Sequence, residues 1–135
     1  MIDCLILGDQ VAAGLTDHLK GCALISNDGM TSTEFYDTHS QSYLIYNNEW
    51  DTVIICLGIN DRVDGIRTRN TLRELRNGIR AKNVYWMLPP ESVFEIRSAV
   101  HDAAMGRQDM LIDVVGWNKS MLSPRGYREA VDKMR

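Results

Sequence analysis

The chain has 135 residues, 44% hydrophobic and 24% charged, with a formal net charge of -3. Length and composition are those of one ordinary globular domain, expected to span 1–135. The acidic balance disfavours a general nucleic-acid binder, and no stretch approaches the roughly 18 apolar residues of a membrane span.

The opening run, Met1-Ile2-Asp3-Cys4-Leu5-Ile6-Leu7, has no basic leader and reads as strand, with its apolar part at Cys4–Leu7. Gly8-Asp9 stops it. Val11–Lys20 has helical periodicity and Gly21 follows as a C-terminal cap. Cys22–Ile25 is a second strand, closed by the turn signal Asn27-Asp28-Gly29. Thr31–Ser40 reads as a short helix capped by Thr31 or Ser32, with Glu34 near the capping-box position. Residues 41–51 favour no element.

Thr52–Leu57 is apolar on both faces, as a central parallel strand must be when helices cover both sides. Residues 66–81 are helical in pattern, with Leu72, Leu75 and Ile79 inward. Val84–Leu88 is a fourth strand, ended by Pro89-Pro90. Glu91–Met105 is a helix with Val93, Ile96, Val100, Ala103 and Ala104 on one face. Met110–Val115 is a fifth strand. Ser123–Met134 is a last helix, with Pro124 in its first turn.

Strands alternating with helices across short loops predict an α/β fold: a five-stranded parallel sheet in a three-layer α/β/α sandwich. Five strands favour the flavodoxin-like order 2-1-3-4-5. Ligands then bind beyond the carboxyl ends of the strands, near the switch point between the first and third. Cys4, Cys22 and Cys56 are odd in number, lie in apolar runs and form no CxxC. They read as buried thiols of a reducing compartment, which places the chain in the cytoplasm, or in a virion if it is viral.

Four segments follow the strands or precede the last helix: LILGDQVAAG, Asn27-Asp28-Gly29, VIICLGIND, and Asn118 through Tyr127 ending in SPRGY. In this order and spacing they resemble the four conserved blocks of SGNH (GDSL-type) hydrolases, over nearly the whole chain. The resemblance implies the fold above and a chemistry of acyl transfer. A serine in the first block attacks a carbonyl. A glycine N–H and an asparagine side chain hold the oxyanion. A histidine in the last block is the base, and an aspartate three residues earlier orients it.

Carried over by position, Gly29 matches the oxyanion glycine, Asn60 the oxyanion asparagine and Asp9 the aspartate beside the nucleophile, with Asp61 in support. The triad positions hold Gln10, Asn118 and Met121. A carboxamide is no practical nucleophile and a thioether accepts no proton near neutral pH. No histidine follows His101, so no shift of register restores the base. The expectation is a pseudo-hydrolase: a binding or assembly module with a protein partner or with copies of itself. Gln10, Gly29 and Asn60 would line a polar hole able to take a small acyl or anionic group. An active esterase or acetyl hydrolase with a non-standard site is the alternative. No cofactor and no metal site is implied.

His18 and His101 read as surface helix residues and His39 as a helix-end residue within reach of the crevice. Ser26, Thr31, Ser32 and Thr33 read as cap and turn residues. Residues 61–82 hold seven basic residues against three acidic ones in a chain that is acidic overall. Arg69, Arg73, Arg76 and Arg80 fall at helical spacing and would form one face, either solvated or a docking surface for carboxylates or phosphates.

Overall fold

The computed structural model describes residues 2–62 and 64–134. Met1, where the first run was read to begin, lies outside them. Five strands form one parallel sheet: β1 (Ile2–Gly8), β2 (Ala23–Ser26), β3 (Glu49–Cys56), β4 (Arg80–Met87) and β5 (Met110–Ile112), in the order β2-β1-β3-β4-β5. The expected order and three-layer architecture are therefore present.

Period-two alternation assigns the two faces of the sheet. Leu5, Leu7, Val53, Ile55, Val84 and Trp86 pack on one side, with α2 (Ser32–His39), α3 (Tyr43–Tyr46), α4 (Gly65–Asn77) and α5 (Phe94–Met105). Ile6, Ile54, Cys56 and Met87 pack on the other, with α1 (Gln10–Thr16) and α6 (Pro124–Lys133). Both faces of the central strands are apolar because both are covered. A single 3₁₀ turn, Glu91–Val93, leads into α5.

The cap chemistry anticipated for α2 is complete. Thr31 accepts from the Glu34 N–H and the Glu34 carboxylate accepts from the Thr31 N–H. Ser123 caps α6 ahead of Pro124. The ambiguous 41–51 stretch divides into α3, capped by Ser42, and the start of β3. The first helix stops four residues earlier than expected. After Thr16 the chain tightens, with Asp17 donating to the Gly14 carbonyl and His18 to that of Leu15.

Three expectations are corrected. Cys4 and Cys22 are not free thiols: they form a disulfide that joins β1 to the residue just before β2, and only Cys56 is free, buried, among the described residues. Spacing along the chain cannot show such a pair, because it is set by the register that places Leu5 beside Ala23. The fourth helix ends at Asn77 rather than 81, so Arg80 belongs to β4, opposite Glu49 of β3. A short antiparallel hairpin, β6 (Trp117–Asn118) and β7 (Met121–Leu122), stands between β5 and α6 where a loop was expected.

The burial of Arg76, and the end of α4 at Asn77 ahead of Arg80, break up the arginine face. Arg76 is buried: its Nε and Nη2 donate to the Asp109 carboxylate at 2.8 and 3.1 Å, and its Nη1 donates to the Ile79 carbonyl. Trp86 donates to the same carboxylate. Arg69 lines the groove between α4 and α5, and Arg73 lies beside Tyr36 and Asn70. With Arg76 buried and Arg80 in β4, the four arginines do not form one helical face.

Candidate functional site

The winding of the sheet reverses between β1 and β3, so the loops leaving their carboxyl ends face the same crevice. β1 enters it through Gly8, whose φ is +143°; a Cβ there would overlap the Cys56 carbonyl of β3. Asp9 follows, wholly buried, and its Oδ1 accepts from the Val11 N–H at 2.9 Å to cap α1. This turn presents Gln10, the first residue of α1, to the crevice.

The Gln10 carboxamide makes four hydrogen bonds. Its Oε1 accepts from the Gly29 N–H at 2.9 Å and from Asn60 Nδ2 at 3.0 Å. Its Nε2 donates to Asn60 Oδ1 at 3.0 Å and to the Ser120 carbonyl at 3.1 Å. The orientation of the amide is unambiguous, since a backbone N–H can only donate and a backbone carbonyl can only accept. Asn60 is fixed in the same way, by donating Nδ2 also to the Met30 carbonyl at 3.0 Å.

Two donors from separate loops thus converge on one carbonyl oxygen. That is the arrangement that stabilises an oxyanion in acyl transfer. Here the oxygen is the protein's own. Gly29, in a turn with φ +77°, aims its N–H at it. Gln10, Gly29 and Asn60, expected from the sequence to line one polar hole, form one hydrogen-bonded cluster.

The supporting aspartates differ in role. Asp61 bridges elements, accepting from the Ser32 N–H at 2.7 Å and from the Thr68 hydroxyl at 2.5 Å. This ties the start of α2 to α4 behind Asn60. Burial, ahead of every other cause, pushes the Asp9 carboxyl up to about 7, and the charges of Asp61 and Asp28 add to it. The Val11 N–H pulls the other way.

Asn118 and Met121 pair with each other across the hairpin turn, and Met121 is partly exposed. Neither makes a hydrogen bond to Gln10. The hairpin's contribution is the carbonyl of Ser120, next to Lys119, whose φ is +60°. Sequence reading missed this partner, as it missed Met30, because a backbone carbonyl has no side-chain signature.

Among the described residues none of the three imidazoles hydrogen-bonds to a hydroxyl or thiol. His39 bonds to Asn27 Oδ1 at 2.6 Å and packs on Phe35; burial lowers its pKa. His18 lies past the end of α1 and is half-buried: it stacks on Tyr127 with ring centroids 5.2 Å apart and approaches the Gly14 carbonyl. His101 is exposed beside Asp102. Thr31 is spent as a cap, Thr33 approaches Thr71, and Ser32 is fully buried. Among the described residues no three His, Cys, Asp or Glu side chains gather as metal ligands.

No protein-family profile matches the chain, and no curated protein matches it in sequence. Solved structures do match in shape. A lipase/acylhydrolase from Enterococcus faecalis superposes with a TM-score of 0.72 at 16% identity, covering 99% of this chain and 95% of that one. The C-terminal catalytic domain of peptidoglycan O-acetyltransferase A from Streptococcus pneumoniae, solved with a methylsulfonyl adduct, gives 0.62 at 15% identity, with 98% and 89% covered. An esterase of the SGNH-hydrolase family gives 0.60 at 16% identity, with 98% and 92% covered. The chain has an SGNH hydrolase-like fold.

Proposed function

We propose that this chain is a hydrolase-fold protein that does not hydrolyse, and that it works by binding: as a module for a protein partner or for copies of itself. One observation carries the reading. The position from which a nucleophile would attack holds a carboxamide, and that carboxamide fills the cradle with its own oxygen. A substrate carbonyl would have to displace four hydrogen bonds before meeting a donor, and would then find no group to attack it and no base beside it.

The filled cradle also weakens the case for a small acyl or anionic ligand there. A macromolecular partner is favoured instead by exposed apolar side chains away from the crevice. Ile66 and Phe94 are 66% and 72% exposed and line one groove between α4 and α5. Among the described residues no helix is long and apolar enough to cross a membrane. The cytoplasmic or virion placement rested in part on reading the cysteines as reduced thiols. The Cys4–Cys22 bond removes that ground and is of a kind that persists in oxidising surroundings.

The second reading, an esterase or acyl hydrolase, is favoured by what the similar structures are named for. It requires Gln10 to swing out and a hydroxyl from the Gly29 loop to take its place. Turnover of p-nitrophenyl acetate separates the two. The proposal expects a rate no higher than buffer with the chain as it stands. It expects a gain of activity from Gln10→Ser, Asn118→Asp and Met121→His combined. Turnover by the unaltered chain that one Ser or Thr substitution near Gly29 abolishes would establish the second reading.

A further inference from the structure

Asp9 uses only one of its carboxyl oxygens within the protein. Oδ1 caps α1, while Oδ2 is buried without a hydrogen-bond partner in the protein. Trp117, the first residue of β6, is in the same position: its indole N–H is buried and has no partner in the protein. The two residues line one cavity of about 10 Å³ at the carboxyl end of the sheet. The rest of its wall is almost wholly apolar, with Val11, Leu57, Ile59 and Met87.

A buried polar group without a partner costs about 1–3 kcal/mol, and native proteins rarely leave such groups unsatisfied. The cavity has room for the centre of about one water molecule and nothing larger. We infer that it is a binding site for a single water molecule that bridges Trp117 Nε1 and Asp9 Oδ2.

Chemistry restricts the occupant. The indole N–H can only donate, so the bridging atom must accept. The Asp9 oxygen accepts when ionised and donates when protonated, so its partner must be able to do either. A water oxygen meets both conditions. A cation cannot accept from the indole, and an anion is repelled by an ionised carboxylate. Organic groups exceed the space.

The bridge has a structural consequence. Asp9 holds the start of α1, and hence Gln10. Trp117 holds the hairpin whose turn gives the Ser120 carbonyl to Gln10. One water would therefore tie the two elements that clamp the carboxamide from either side. This inference is independent of whether the protein turns over a substrate.

The test is a crystal structure of the unaltered protein at a resolution that orders internal water. The expected result is one density peak within about 2.7–3.2 Å of both Asp9 Oδ2 and Trp117 Nε1. An empty cavity, a direct bond between Asp9 and Trp117, or density that refines only as an ion or additive would each overturn it.

Discussion

Gln10 and Asn60 hold each other amide to amide: Gln10 Nε2 donates to Asn60 Oδ1 and Asn60 Nδ2 donates to Gln10 Oε1, both at 3.0 Å. The residues are 50 positions apart, and the pair joins the start of α1 to the loop after β3. With the Gly29 N–H and the Ser120 carbonyl, the pair closes a ring of partners around one carboxamide. The two donors that converge here, the Gly29 N–H and Asn60 Nδ2, are thereby both taken up by the Gln10 oxygen.

Removing that carboxamide should cost stability. Gln10→Ala leaves the Gly29 N–H, the Ser120 carbonyl and one side of Asn60 without their partner, in a part-buried setting. A loss of about 1–3 kcal/mol in urea unfolding is expected. A change below about 0.5 kcal/mol would mean that these bonds do not hold the loops.

The buried Asp9 carboxyl sets a pH dependence of definite sign. Its value in the fold is about 7, against 3.8 for the free group. Between about pH 4 and 7 the folded chain therefore holds a proton that the unfolded chain has released. Stability from this group is full below about pH 4 and is lost as pH rises through about 7. Asp9→Asn should flatten that slope and unfold at higher urea than the parent above pH 7. Parallel pH profiles for the two proteins would remove the assignment.

The Cys4–Cys22 bond should stabilise by constraining the unfolded chain. For two cysteines 18 residues apart the gain is about 3 kcal/mol. Titration of the denatured, unreduced protein should find one thiol, Cys56, and titration after reduction should find three. In the native state Cys56 should resist alkylation, since burial raises its pKa well above the usual thiol range. Three thiols before reduction would contradict the pairing.

The arginines of α4 should behave unequally. Arg76→Ala strands the Asp109 carboxylate, which also receives the Trp86 N–H, and should cost about 3–5 kcal/mol. Arg73→Ala, at an exposed position, should stay within about 0.5 kcal/mol. Equal effects would restore the idea of one arginine surface.

The layered fold was legible in the sequence because its signals are local. TVIICL could only be a strand covered on both sides, and Thr31 with Glu34 announced a helix start. Gln10, Gly29 and Asn60 were found through the resemblance of the segments after the strands to SGNH hydrolase blocks, and the sheet brings those segments together. What escaped was non-local or lacked a side-chain signature. The disulfide depends on β1–β2 register. The Arg76–Asp109 contact joins residues 33 positions apart, and the end of α4 that the helical reading carried past is marked in the sequence by Asn77-Gly78. The Ser120 carbonyl depends on a hairpin with two residues in each strand, too short for any periodicity.

The most direct test of the central claim, that the cradle is filled and no nucleophile stands beside it, is intact-mass measurement after exposure of the native protein to a fluorophosphonate probe. The account predicts an unchanged mass. A single stoichiometric adduct, mapped to a serine or threonine lining the crevice around Gly29, would contradict it.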